Sequence, residues 1–178
     1  MTIAVIGVGF VGLVSAAVFS KFGNTVYAIN REEEKSTELK KGKIPFFEPN
    51  LEELVLENVK AGRLHFTTDY AEAIPKADII LIAVGTPSAP DHHADLSHVF
   101  TAAKSLAPYI KDSAIVIVKS TVPPKTNDRV KEIISSVTNK KFYLASCPEF
   151  LREGTAVEDT LHPDRILIGA NESEVIER

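Results

Sequence analysis

Gly7-Val8-Gly9-Phe10-Val11-Gly12 joins an apolar run, Ile3-Ala4-Val5-Ile6, to a second run with helical spacing over residues 13–22. A buried strand that turns through glycines into a helix is the start of a βαβ unit, and this junction decides the fold. Gly7 lets the chain turn sharply out of the strand, Gly9 has no Cβ to hold a pyrophosphate off the backbone, and Gly12 lets the helix pack closely on the strand. The free N–H groups and positive dipole end of that helix then face the phosphates. Alone, G-x-G-x-x-G is a weak signal, because such a turn can be purely structural. Its place between a strand and a helix is the context that a dinucleotide site requires.

Outward from this turn, apolar runs alternate with helical segments. Thr25-Val26-Tyr27-Ala28-Ile29 reads as a second buried strand, and residues 32–41 as a helix with acids first and lysines last, as the macrodipole favours. Gly42 stops that helix. The two prolines of Ile44-Pro45-Phe46-Phe47-Glu48-Pro49-Asn50 forbid regular structure, leaving a loop expected to plug into the core through Phe46 and Phe47. Residues 51–61, 96–110 and 126–137 have helical patterns, and 171–178 reads as the start of another helix. Strands are expected at 64–67, 79–84, 114–118, 142–145 and 166–168. This alternation predicts the α/β class: a Rossmann-like, doubly wound parallel sheet in a single domain over residues 1–178. Ligands of such sheets sit beyond the carboxyl ends of the strands. The polar segments that follow strands therefore belong on a functional rim: Val84-Gly85-Thr86-Pro87-Ser88, Lys119-Ser120-Thr121-Val122 and Ser146 through Gly154.

Composition narrows the class without naming a function. Hydrophobic residues make up 44% of the 178 and charged residues 25%, ordinary for a globular protein able to bury its own core. A formal net charge of −4, with no basic stripe interleaved with aromatics, argues against nucleic acid as a partner. Cys147 is the only cysteine, so no internal disulfide and no cysteine-rich metal site can form. No apolar run approaches the roughly 20 residues of a membrane span, and no basic leader precedes the first strand. The expected location is the cytoplasm, with no membrane partner.

Several motifs stand together in order: the glycine turn, Phe46-Phe47-Glu48-Pro49, Val84-Gly85-Thr86-Pro87, Ala94-Asp95-Leu96, Lys119-Ser120-Thr121-Val122-Pro123, Pro148-Glu149-Phe150-Leu151-Arg152-Glu153-Gly154 and His162-Pro163-Asp164-Arg165-Ile166. The ordered set resembles the nucleotide-sugar dehydrogenases of the UDP-glucose/GDP-mannose dehydrogenase family, with the UDP-glucose branch the best match. The resemblance covers nearly the whole chain. It implies an NAD-dependent enzyme that oxidises the primary alcohol of a nucleotide-linked sugar to a carboxylate in two hydride transfers, through a cysteine thioester. In that family the nucleophilic cysteine, a lysine and an asparagine lie after this domain. The chain is thus expected to be the cofactor-binding part of a longer enzyme that also has central and C-terminal UDP-sugar-binding domains and dimerises through a central helix.

Carried over by residue, the resemblance assigns the pyrophosphate to Gly7, Val8, Gly9, Phe10, Val11 and Gly12, and places Lys35 near the adenosine ribose; Asn30 occupies the place where dinucleotide folds carry the ribose-binding acid, and Arg31 follows it. Val84, Gly85, Thr86, Pro87, Ser88, Ser120, Thr121 and Val122 would line the rest of the cofactor. Thr121 and Glu149 would position or deprotonate the water that hydrolyses the thioester. Glu153 would approach the nicotinamide, and Glu149, Phe150, Leu151, Arg152 and Glu153 would border the sugar nucleotide. Four positions depart from the family pattern: Phe10 stands for a tyrosine, Asn50 for a glycine, Cys147 for an asparagine, and Asn30 for an aspartate. The last bears on the cofactor, because an acid there bonds the ribose and repels a 2′-phosphate. With Arg31 beside Asn30, NADP is expected to be accepted as well as NAD.

Plainer readings compete at each position. Thr121 can cap a helix and Glu149 can be a solvated rim residue. Cys147 reads as a small inert side chain and not as the nucleophile. Asp91, His92, His93, Asp95 and His98 lack any hard metal-ligand spacing and read as a polar loop, so no metal is expected. His65 and His162 read as structural, and Glu32-Glu33-Glu34 as a solvated helix start. GDP-mannose or UDP-N-acetylamino-sugar dehydrogenases are alternative enzymes, and a free-standing dinucleotide-sensing module is the alternative without chemistry.

Overall fold

The computed structural model describes residues 1–178. Strands β1 (Thr2–Ile6), β2 (Thr25–Ile29), β3 (Leu64–Thr67), β4 (Ile79–Ile82), β5 (Ala114–Val118), β6 (Phe142–Ser146) and β7 (Gly169–Ala170) form one sheet in the order β3-β2-β1-β4-β5-β6-β7. The first six pair in parallel, and β7 pairs antiparallel with β6. The chain builds outward from β1 to β3, then crosses back to lay β4 on the other side of β1. The order therefore reverses between β1 and β4, which is the switch point where open α/β sheets hold ligands.

The helices are α1 (Phe10–Lys21), α2 (Glu33–Lys40), α3 (Leu51–Lys60), α4 (Tyr70–Ala73), α5 (Ser97–Leu106), α6 (Thr126–Ser135), α7 (Ala156–Leu161) and α8 (Ser173–Glu177). Alternate residues of β1 serve two cores: Ile3 and Val5 pack with Leu13, Val14 and Leu54, while Ala4 and Ile6 pack with Val99, Leu106 and Ile134. Helices α1, α3 and α7 cover the first face, and α5 and α6 the second. Burial on both faces is why these strands read as unbroken apolar runs. No helix is long and apolar enough to cross a membrane.

Four local expectations need correction. Residues 166–168 are not a strand: Ile166, Leu167 and Ile168 are 68%, 56% and 43% exposed, and the chain joins the sheet only at Gly169. Three apolar residues are too short a run for periodicity to tell a strand from an exposed segment. Only Phe46 of the aromatic pair is partly buried, edge-on to Phe10 with centroids 5.2 Å apart, whereas Phe47 is 86% exposed. Helix α1 starts at Phe10, inside the glycine motif, because a backbone turn can begin before apolar periodicity does. The short α4 and the 3-10 turn Ile74–Lys76 between β3 and β4 are too brief to register as a period.

The loop over residues 44–50 is held chiefly by Glu48 and not by the aromatic pair alone. Glu48 is 6% exposed, and its carboxylate accepts hydrogen bonds from the backbone N–H of Gly154 at 2.8 Å and of Val157 at 3.3 Å. It thereby bonds orphan donors at the start of α7, where a negative charge also complements the helix dipole. Asn50, at φ 65°, takes the left-handed conformation that this residue type tolerates better than most. Glu48→Ala is expected to cost about 2–3 kcal/mol, the range for charge-assisted hydrogen bonds left unmade. Denaturant unfolding checks this, and a loss below roughly 0.5 kcal/mol would show that water replaces the carboxylate freely.

Candidate functional site

The glycine turn meets the backbone demands that its sequence implies. Gly7 has φ +96°, and a Cβ there would lie 2.8 Å from the Ala83 carbonyl oxygen of the strand next door. A Cβ on Gly12 would lie 1.8 Å from the Gly7 carbonyl oxygen, so only glycine lets the first turn of α1 close over the end of β1. At Gly9, the N-cap of α1, a Cβ would meet nothing within 4 Å. That open space, beside unshared helix N–H groups, suits the close approach of a pyrophosphate.

A cleft of about 240 Å³ opens at the switch point, lined by Ile6 to Gly9 after β1, Ile29 to Arg31 after β2, and Ala83 to Gly85 after β4. Of the expected cofactor residues, Gly7, Val8, Gly9, Asn30, Arg31, Lys35, Val84 and Gly85 meet there. Tyr70, His98, Thr101 and Ser105 also line the wall; none was expected there from the sequence, and His98, read as part of a polar loop, lies in α5. A signal for three of them exists: positions 98, 101 and 105 recur on one face of α5 at helical spacing, polar where the neighbouring face is buried. His98 Nδ1 lies 3.3 Å from the Gly85 carbonyl oxygen. Burial pushes the Tyr70 phenol above its ordinary pKa, and the nearby Arg31 cation pulls it partly back.

The other expected cofactor residues line neither this cleft nor the next. Phe10, Val11 and Gly12 form the first turn of α1. The Ser120 hydroxyl donates to the Val84 carbonyl at 2.6 Å, and the Thr86 hydroxyl donates to the Thr121 carbonyl at 3.0 Å, so the loops after β4 and β5 are tied together. Ser88 forms an isolated antiparallel bridge with Ala94, and the Pro87 carbonyl accepts from Asp95 N–H at 2.8 Å. Thr121 is exposed and Val122 half-buried. Helix α6 starts only at Thr126, so Thr121 is not its cap.

A second, larger cleft of about 600 Å³ lies on the α1 side of the sheet. It is lined by Glu149, Phe150, Leu151 and Arg152, with Lys119, Cys147 and Asp159 among its other walls. Glu149 Oε2 accepts the Leu151 N–H at 2.6 Å, which fixes the turn and leaves the other carboxylate oxygen without a partner in the chain. Arg152 is less free than expected of a substrate contact. Its Nη2 bonds Asp159 Oδ1 at 2.6 Å, its Nε bonds Oδ2 at 3.2 Å, and its backbone N–H bonds Oδ2 at 3.0 Å. The Arg165 guanidinium sits over the Phe150 ring, 4.5 Å from its centroid. Glu153 is exposed on the turn before α7 and outside both clefts.

The Arg152 hydrogen bonds hold the Asp159 carboxyl down to about 2. A carboxylate whose pKa is lower folded than unfolded stabilises the fold above its unfolded pKa, near 4, and that contribution fades as pH falls towards 2. Asp159→Asn is therefore expected to flatten the acid limb of the stability profile between about pH 5 and pH 2. Melting curves across that range check it; parallel profiles for both proteins would show that the clasp does not report on folding.

The polar loop residues make local bonds: Asp91 Oδ1 accepts from His93 N–H at 3.1 Å, and Asp95 Oδ1 from Ser97 N–H at 2.8 Å. The Ser97 N–H bond holds the Asp95 carboxyl below its usual range. No three His, Cys, Asp or Glu side chains are grouped as a metal site. His65 stacks on Tyr27 at 4.9 Å, and His162 Nε2 lies 4.0 Å from Glu158 Oε2.

Comparison with known proteins gives a consistent result. The family model described as "UDP-glucose/GDP-mannose dehydrogenase family, NAD binding domain" matches residues 1–178. A UDP-glucose 6-dehydrogenase of Rhizobium meliloti is 48% identical over 176 residues, which are 98% of this chain and 40% of that protein. One from Pseudomonas aeruginosa is 44% identical, again over 98% of this chain and 40% of the relative. The chain thus spans about 40% of the length of the curated relatives it matches. Among solved structures, a UDP-glucose dehydrogenase from Pyrobaculum islandicum superposes with TM-score 0.94 at 39% identity, covering 99% of this chain and 42% of the other. A GDP-mannose dehydrogenase from Pseudomonas aeruginosa superposes with TM-score 0.95 at 34% identity, with the same coverage.

Proposed function

The chain belongs to the UDP-glucose/GDP-mannose dehydrogenase family, whose NAD binding domain it matches from end to end, and we propose that it is the cofactor-binding part of an enzyme that oxidises UDP-glucose to UDP-glucuronate. The carrying observation is the glycine turn at the β1/β4 switch point, with open space at Gly9 and a cleft running from it to Asn30, Arg31 and Lys35. Gly7, Gly9 and the first turn of α1 would hold the pyrophosphate through backbone N–H groups, and Asn30 and Lys35 the adenosine ribose. NADP as well as NAD is accepted at that end. The nicotinamide, when bound, supplies a hydride acceptor. The loops tied by Ser120 and Thr86 would carry that end of the cofactor across the rim towards the second cleft, where the UDP-sugar would lie against the 149–152 segment. There the unshared oxygen of Glu149 would take a proton from the water that releases the carboxylate product, with Thr121 helping to orient it. The nucleophilic cysteine, the sugar-binding domains and the dimer-forming helix belong to the remainder of the full-length enzyme, which works in the cytoplasm.

The 178-residue chain is accordingly expected to bind a nicotinamide dinucleotide and to turn over no sugar nucleotide. Calorimetric titration tests the first half. Cofactor reduction followed by absorbance with UDP-glucose tests the second: turnover abolished by Cys147→Ser would overturn this reading and make Cys147 the nucleophile.

A further inference from the structure

We propose that the Asn30 end of the first cleft is a subsite for the 2′-phosphate of a phosphorylated nicotinamide dinucleotide, with Arg31 and Lys35 as its cations. The inference rests on the dinucleotide reading above and adds which member of that class the pocket admits. In dinucleotide folds the strand after the phosphate-binding helix ends in an acid, about 20 residues beyond the glycines, whose charge excludes a 2′-phosphate. Here β2 ends at Ile29 and the neutral Asn30 follows. Asn30 Nδ2 donates to the Glu32 carbonyl at 3.1 Å, so the amide is oriented and its oxygen stays available to a ribose hydroxyl.

Two cations line the same end of the cleft. Neither Arg31 nor Lys35 lies within ion-pair distance of a carboxylate; the ion pairs of the chain are made elsewhere. The three neighbouring acids do not cancel them, because Glu32, Glu33 and Glu34 are absent from the cleft wall. All three are exposed, and Glu33 is drawn to the β3–α4 connection, where its Oε2 accepts the Thr68 hydroxyl at 3.0 Å. Tyr70 adds to the wall a phenol that makes no hydrogen bond within the chain and is a donor at neutral pH. A guanidinium, an ammonium and a phenol around a neutral amide are the donors that a phosphate dianion takes, and charge-assisted bonds of this kind are about twice as strong as neutral ones.

The test titrates the chain with NAD and NADP, and with adenosine 5′-monophosphate against adenosine 2′,5′-bisphosphate as minimal probes. The expected result is NADP binding within about tenfold of NAD, with the bisphosphate tighter than the monophosphate. Arg31→Ala with Lys35→Ala is expected to weaken NADP at least tenfold and NAD less than about threefold; Asn30→Asp is expected to weaken NADP alone by a similar factor. Arg31 is exposed and Asn30 and Lys35 half-buried, and circular dichroism checks that the variants are folded. If NAD binds and NADP is rejected by roughly 100-fold or more, the subsite is overturned while the dinucleotide reading stands. If neither dinucleotide binds, both fall.

Discussion

Gly12→Ala is expected to abolish dinucleotide binding and to unfold the domain well below the parent's melting temperature. The added Cβ would sit 1.8 Å from the Gly7 carbonyl oxygen, a backbone atom that cannot turn aside as a side chain would. Relief requires α1 to lift off the end of β1, and α1 carries Leu13, Val14, Ala16, Ala17 and Val18, all fully buried in the main core. A strain of this kind belongs with the rare substitutions that cost about 4–5 kcal/mol or more. In a domain of this size that corresponds to roughly 8–20 °C of melting temperature. Gly9→Ala is the informative companion. Its backbone is extended, φ −80°, and its Cβ would meet nothing, so its melting temperature should stay within about 2 °C of the parent's while dinucleotide affinity falls. Parent-like melting and binding in Gly12→Ala would show that the helix start has slack the structure does not reveal.

The second large effect lies in chemistry. In the full-length enzyme, Glu149→Gln is expected to slow release of the acid product by about 10²–10⁴-fold, the usual worth of a general base, and to spare the first hydride transfer. Glutamine keeps an oxygen to accept the Leu151 N–H, so the turn survives and only the capacity to take a proton is lost. Single-turnover kinetics should then show an accumulated acyl-enzyme. An overall rate within a few fold of the parent's would make Glu149 a turn former and nothing more.

What sequence reading reached, and what it missed, divide along a physical line. Gly7, Gly9, Gly12 and Asn50 were legible because their demands are local: a positive φ, a close backbone approach or a bare backbone is written in the residue itself. The central strands β1, β4 and β5 were legible because burial on both faces leaves nearly unbroken apolar runs. Tyr70, His98, Thr101 and Ser105 were not, since they reach the first cleft only when α4 and α5 are laid over the ends of β1 and β2. The anchoring role of Glu48 was missed for a related reason: its two donors, Gly154 on the turn before α7 and Val157 in its first turn, lie more than a hundred residues away. Arg152 shows the converse: expected from the resemblance to border a sugar nucleotide, it is engaged by Asp159.

The bond from Glu48 to Gly154 also sets an order of events during synthesis. Glu48 and its first donor are separated by 106 positions, so at translation rates of about 5–20 residues per second the carboxylate leaves the ribosome roughly 5–20 s before its partner. Through that interval β1 to β5 can assemble on the emerging chain while residues 44–50 hang unanchored, leaving Phe46 as open as Phe47 to chaperones and proteases. Ribosome-stalled chains ending before Gly154 should therefore be cut within 44–50 under brief proteolysis, and chains long enough to present α7 should resist. Equal resistance at both lengths would mean that Phe46 against Phe10 already holds the loop, and that the carboxylate arrives as a late lock on a segment already in place.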